Sequence, residues 1–202
     1  MPHYSYARSD KKDAPRISLG GRLVADLMVA AGASRVLAMT LHAPQVHGFF
    51  TVPVDHLHAL RELAAHFRQY DLTRTTVVSP DLGNAKEAAA FARMIGAQVA
   101  AGAKQRFGDD RVIELLDRLR ELGPRSIRVA CTHGLFAAGA LKRIGEQPDV
   151  LEIVCTNTVP IPAEERTDKL RVLSIAPALA EAVRRIHNGE SVSALFDAPG
   201  TE

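Results

Sequence analysis

Tryptophan is absent from the chain, and aromatic residues make up only 5% of it. A core built from this sequence is therefore aliphatic, mostly Ala, Leu, Val and Ile. Cysteine is scarce too. Cys131 and Cys155 are the two present, too few for a disulfide framework, and they point to a reduced, cytoplasmic setting. A zinc site would need more soft ligands than these two, or His supplied by the fold. No charge of one sign dominates: 25 Lys and Arg face 23 Asp and Glu, a net of +2, which gives no argument for a nucleic-acid partner. Long apolar runs are missing as well. The most apolar stretch, LVADLMVAAGA at 23–33, is too short to span a bilayer and contains Asp26. Residues 1–16 are polar and lack the apolar segment of a secretory signal. Neither a membrane nor a nucleic acid is thus expected as a partner. What is present, in 202 residues, is 47% hydrophobic and 24% charged, enough to form a packed core.

Short strand-type runs alternate with helical periods along the chain. Ser18 is placed to cap a helix running to about Ala31, with Gly20-Gly21 weakening its first turn. Residues 35–39 read as a strand. Leu57, Leu60, Leu63, Ala64 and Phe67 share one stripe and predict an amphipathic helix from Asp55 to about Tyr70. Further strands are expected at 75–79, 97–101, 126–131, 151–155 and 170–175. Helices are expected at 84–95, 113–122, 136–144 and 177–186, with Gly123-Pro124 stopping the second of these and Pro177 suiting the start of the last. Strands separated by helices of this length predict an α/β fold with a mostly parallel sheet flanked by helices. The strands lack strict alternation, as expected when both faces are covered. Residues 1–17 form an N-terminal arm and residues 18–202 the α/β region.

Ligands of open α/β sheets collect beyond the carboxyl ends of the strands. Ser79-Pro80-Asp81-Leu82-Gly83-Asn84-Ala85-Lys86 follows a strand and opens a helix. Its amides suit an anion, and Asp81 suits a Mg²⁺-bound phosphate or a ribose hydroxyl; an ordinary capped turn is the alternative. Thr40-Leu41-His42-Ala43-Pro44-Gln45-Val46-His47-Gly48-Phe49-Phe50 also follows a strand. Here His42 is either a metal or phosphate contact or a structural hydrogen-bonding residue. His47, His56, His58 and His66 read as surface or interface residues. Thr132-His133-Gly134 and Thr156-Asn157-Thr158 are either ligand contacts or self-satisfied turns. Lys104 and Arg106 are either cations that close over phosphates or members of a solvated cluster with Asp109, Asp110 and Arg111. Tyr4, Tyr6, Arg8, Asp10, Lys11 and Lys12 in the arm suit either a purine triphosphate or an interface. Cys131 reads as a small core residue rather than a nucleophile.

Five segments together resemble the ribose-phosphate pyrophosphokinase family. They are PHYSYARSDKKDAPR at 2–16, TLHAPQVHGFFTVPVDHL at 40–57, SPDLGNAKEA at 79–88, ACTHGLF at 130–136 and RRIHNGESVSALFD at 184–197. The resemblance implies phosphoribosyltransferase-like α/β structure, with parts of two stacked family domains, and a homo-oligomer built from dimers. It implies transfer of pyrophosphate from ATP to ribose 5-phosphate, with Mg²⁺ and an activating phosphate. Residue by residue, it implies ATP contacts at Arg8 and Asp10, with Ser9 where Gln is usual. His42 matches the His of an Asp-Leu-His motif that binds Mg²⁺-nucleotide, with Thr40 replacing the Asp. Asp81, Leu82, Gly83 and Asn84 match the pyrophosphate loop, with Asn84 replacing a Gly. Asp81 joins His42 as an implied metal contact. Lys104 and Arg106 match a catalytic loop of Lys-Arg-Arg type.

The family pattern also has parts without a counterpart here. A half-domain carrying part of the ATP site would precede Met1. Between Val112 and Ile113 the family has a further strand and an acidic loop that holds ribose 5-phosphate; Asp109-Asp110 lie before that strand and do not replace it. Two expectations follow: either these residues are part of a longer enzyme, or the chain is a catalytically degenerate regulatory homologue that binds nucleotide or phosphate. A related phosphoribosyltransferase is a third option, and the lack of an Asp-Asp-x-x-x-Thr-Gly type loop speaks against it.

Overall fold

A computed structural model describes residues 1–12, 15–81, 83–101 and 111–196. The chain divides into two compact units, the first Met1–Ala59 and the second beginning at Leu60. Every strand pairing is parallel, in line with the α/β expectation.

The first unit contains helix α1 (Gly20–Ala30), strand β1 (Val36–Met39), a 3₁₀ turn (Pro44–Phe49) and strand β2 (Val54–Leu57). Ser18 does not cap α1. The helix starts after Leu19, and its amides are satisfied from the arm: Gly20 N–H donates to Ser9 Oγ at 2.9 Å and Gly21 N–H to the Ser9 carbonyl at 3.1 Å. A Cβ on Gly21 would meet the Tyr6 and Ser9 carbonyl oxygens at 3.0 and 3.2 Å. Glycine there lets the arm lie against the helix. Tyr4 and Ala7 of the arm join Ala25, Val36, Ala38, Leu41, Val46 and Phe50 in one core.

Residues 54–57 are a strand, not the start of the expected helix. They pair with β1 from Val36↔Val54 to Met39↔Leu57. Asp55 and Leu57 are buried while Val54 and His56 are half-buried, a period of two. Buried Asp55 is held by Arg35 Nη2 at 3.1 Å and by Arg35 Nε. Leu57 is in phase with both the strand and the helical stripe, which is why the periodicity ran the two elements together.

In the second unit, α2 (Leu60–Phe67) precedes β3 (Thr76–Ser79), α3 (Ala85–Ile95) and β4 (Gln98–Ala101), and β3 pairs with β4. Gly96, at φ 69°, ends α3 in the left-handed conformation that glycine tolerates best. Then follow α4 (Arg111–Glu121), β5 (Ile127–His133), α5 (Ala140–Gly145), β6 (Val150–Thr156), β7 (Leu170–Leu173), α6 (Ala176–His187) and α7 (Ser193–Phe196). The helix expected from Phe136 begins only at Ala140, because Phe136, Ala138 and Gly139 have φ of 38°, 52° and 70°.

Strands β5, β6 and β7 form a sheet in that order. Register jumps from Ile127↔Val150 to Arg128↔Glu152, so Leu151 is a bulged residue, and it is half exposed. Beyond the bulge, Ile153 and Cys155 pack with Leu116 of α4 and Leu141 and Ile144 of α5. Val154, on the opposite face, packs with Leu63 and Phe67 of α2 and Ile95 of α3. Helices thus cover both faces. Each fully buried aliphatic side chain contributes about 1.5–3 kcal/mol, whereas an exposed ion pair such as Arg184–Glu181 is screened by solvent and adds little. These two cores, not the surface charges, hold the unit together.

Candidate functional site

Two of the expected ATP contacts project from the core of the first unit. Ala7 and Leu41 are both 6% exposed and belong to one cluster. Their chain neighbours Arg8 and His42 are exposed to solvent, so both side chains are displayed from one packed base. Asp10 is half-buried two residues further along the arm. Tyr4 is not available as a platform for a purine ring: it is 5% exposed, packs on Phe50 at 5.9 Å between centroids, and donates its hydroxyl proton to the Gly21 carbonyl. Tyr6 is the exposed aromatic of the arm.

The turn that carries His42 is tightly fixed. Thr40 leaves β1 at φ 44°, a left-handed conformation that is rare for a β-branched residue. The end of β2 holds it. Thr40 N–H donates to the Leu57 carbonyl at 2.7 Å, and Ala59 N–H donates to Thr40 Oγ1 at 3.2 Å. Leu41 N–H donates to His56 Nε2 at 2.8 Å.

In the second unit, Asp81, Gly83 and Asn84 share the turn between β3 and α3. Asp81 Oδ1 accepts the Asn84 N–H at 2.9 Å, and the Asp81 carbonyl accepts the Ser79 hydroxyl proton at 2.6 Å. One carboxylate oxygen therefore caps this turn and occupies one of the amides expected to face an anion. A Cβ on Gly83 would meet Asp81 Oδ1 at 3.2 Å, so glycine leaves that carboxylate room. Leu82, Lys104 and Arg106 lie outside the described residues.

The remaining candidates satisfy one another. Thr156 Oγ1 donates to the Thr132 carbonyl at 2.7 Å, and Thr158 Oγ1 lies 2.8 Å from His133 Nδ1. A Cβ on Gly134 would meet Phe136 Cε2 at 2.8 Å and Cys155 Sγ at 3.0 Å, which leaves no space for a side chain at that position. Asn157 Oδ1 accepts the Ile175 N–H at 3.0 Å. Both segments are thus self-satisfied strand ends. Burial pushes the Cys131 thiol up to about 12 and the Cys155 thiol up to about 11, so neither is a thiolate at neutral pH.

Two of the histidines read as surface or interface residues are partly buried within the fold. His56 is half-buried and accepts the Leu41 amide. The side chain of His66 is 14% exposed, and its Nε2 lies 3.0 Å from Glu152 Oε1. The one sequence signal for His56 was its place in an alternating Val-Asp-His-Leu run. Among the described residues, no group of three His, Cys, Asp or Glu side chains is arranged to hold a metal ion. No helix among the described residues is long and apolar enough to cross a membrane.

Comparison with known proteins places these features in a family. Residues 108–197 match the phosphoribosyl synthetase-associated domain. A Streptomyces coelicolor protein assigned as a ribose-phosphate pyrophosphokinase is 79% identical over 225 residues, covering 98% of this chain and 71% of that protein. The ribose-phosphate pyrophosphokinase of Deinococcus radiodurans is 42% identical over 229 residues, covering 97% and 71%. Both matched stretches are longer than this 202-residue chain. The crystal structure of phosphoribosylpyrophosphate synthetase from Mycobacterium smegmatis superposes with a TM-score of 0.84 at 35% identity, covering 93% of this chain and 70% of that one. With likeness of this depth along nearly its whole length, in sequence and in fold alike, the chain belongs to the ribose-phosphate pyrophosphokinase family.

Proposed function

We propose that the chain is a ribose-phosphate diphosphokinase that makes phosphoribosyl pyrophosphate from ATP and ribose 5-phosphate. The observation that carries this reading is near-complete alignment with relatives named for that activity. The 1-hydroxyl oxygen of the sugar attacks the β-phosphorus of ATP, the bond from that phosphorus to the oxygen bridging the α-phosphate breaks, and AMP leaves. The hydroxyl proton passes to solvent. No covalent enzyme intermediate is needed, so the protein acts by positioning and by neutralising charge.

In this scheme Arg8 and Asp10 orient the nucleotide and His42 meets its metal-bound phosphates. Asp81, Leu82, Gly83 and Asn84 hold the pyrophosphate, and Asp81 keeps one carboxylate oxygen for a magnesium ion. Lys104 and Arg106 offset the charge that develops on the transferred group. When bound, Mg²⁺ supplies charge neutralisation on the phosphate oxygens. Inorganic phosphate is the expected activator, the assembly is a homo-oligomer built from dimers, and the setting is cytoplasmic. The test is conversion of ATP and ribose 5-phosphate to AMP and phosphoribosyl pyrophosphate by the folded protein with Mg²⁺ and phosphate. Failure to form either product contradicts the reading.

A second reading is favoured by the shorter length of this chain within the matched stretch. It is a non-catalytic partner that binds nucleotide or phosphate. Calorimetry with ATP, ADP and phosphate separates the two: binding without turnover supports the partner, and no binding to any of the three excludes it.

A further inference from the structure

We propose that His56 is a positioning residue for the nucleotide site, its neutral ring fixing through the Leu41 amide the turn on which His42 stands. The inference rests on the reading of His42 as a nucleotide contact and adds to it the residue that sets its place.

Three hydrogen bonds tie residues 40–41 to the end of β2. Two are made by backbone groups or by the Thr40 hydroxyl. The third, from Leu41 N–H to His56 Nε2 at 2.8 Å, depends on one side chain from the neighbouring strand. Leu41 is 6% exposed, so its amide has little access to water if the ring is lost, and a buried amide left without an acceptor is costly. Thr40, at φ 44°, holds a conformation that persists only when its surroundings enforce it. Release of the Leu41 amide therefore lets the chain relax at Thr40, two residues before His42.

The ring is built for this purpose on two counts. An imidazole accepts through Nε2 only when that nitrogen is unprotonated, which places the proton of the neutral ring on Nδ1. Burial first, and then its neighbours, favour that neutral state. The His47 ring meets it edge-on at 5.1 Å and the His58 ring lies at 4.3 Å, so a positive charge on His56 would sit beside two further imidazoles. A ring that merely filled space would need neither a defined tautomer nor an acceptor.

Two measurements on the full chain test the inference. In ¹⁵N NMR, His56 is expected in the Nδ1–H tautomer, with a coupling across the hydrogen bond from the Leu41 amide to Nε2. The Nε2–H tautomer, or absence of the coupling, overturns the proposal without any variant. In calorimetry with Mg·ATP, His56→Leu is expected to weaken binding about 10-fold, as loss of a supporting contact commonly does. His56→Gln, whose carbonyl oxygen can replace Nε2 as acceptor, is expected to restore most of it. Wild-type affinity in a folded His56→Leu variant overturns the proposal, as does failure of Gln to improve on Leu. His42→Ala separates the underlying reading: if it leaves Mg·ATP affinity unchanged while the coupling is present, the assignment of His42 is wrong although the turn is held as described.

Discussion

Among the titratable side chains, His56 links stability most directly to pH. Burial first, then the nearby His58 and His47, push its pKa down to about 4, whereas an unfolded chain titrates near 6.5. Between those values the unfolded state binds the proton and the folded state does not, so stability rises with pH across that window. It is complete above about 7 and is lost as pH falls through about 6.5 toward 4. The full shift corresponds to roughly 3 kcal/mol, and the solvent-facing part of the ring reduces this to about 2 kcal/mol. Urea unfolding at a series of pH values should show this slope, and His56→Gln should flatten it; an unchanged slope in the variant would assign the effect elsewhere. This role was invisible in the sequence. Val-Asp-His-Leu marks His56 as a strand residue, but nothing local says that its ring nitrogen meets an amide fifteen residues earlier. The positions of His42 and Asp81 just beyond strands, by contrast, were legible, because the apolar runs define those strands.

At the scale of elements, helix α2 is tied to the sheet by a buried carboxylate. Glu152 of β6 is 7% exposed. His66 Nε2 lies 3.0 Å from one of its oxygens, the Tyr70 hydroxyl donates to the other at 3.0 Å, and Arg128 Nε of β5 stands 3.6 Å away. The Arg128 guanidinium also lies 4.1 Å above the Tyr70 ring. Removing the carboxylate strands several polar groups at once. Glu152→Ala should therefore cost about 2–4 kcal/mol in urea unfolding, and Glu152→Gln, which still accepts from Tyr70, about 1 kcal/mol. Equal costs for the two would show that the charge, which both variants remove, is what matters, not the volume or the accepting oxygen that Gln retains. The sequence reading ran this region together. Its helix from Asp55 to Tyr70 merged β2 with α2, because Leu57 satisfies both periods and no turn residue of strong preference separates them. Where Gly96 and Gly123 mark helix ends, the expected boundaries fall within two residues of those observed.

Across the whole molecule, the order of strands and helices, β2 and the short α7 apart, was written in the alternation of apolar runs, and the parallel pairing followed from it. The division between Ala59 and Leu60 was not, since it falls where a helix begins, without a stretch of linker composition. Specific charge placement rather than bulk charge has to recruit phosphates, given the net of +2. If the metal arrives with the nucleotide, chelation should have a divided effect. Adding EDTA should move the melting temperature by no more than about 1 °C, while ATP affinity measured by calorimetry falls at least about 10-fold. A large drop in melting temperature would reveal a resident structural ion instead.

Strand β6 is paired on both sides, by β5 and by β7, whereas β1 and β2, like β3 and β4, form sheets of two. Val150, Ile153, Val154, Cys155 and Thr156 are all 0% exposed. Amide exchange with deuterated water reads this difference directly. Local opening releases lightly paired segments first, and the slowest protons report the last cooperative unit to open. The β6 amides at 153–156 should therefore be the last of the described strands to take up deuterium. Their exchange should track global unfolding in added denaturant, and the first unit's short strands should exchange through smaller openings well before it.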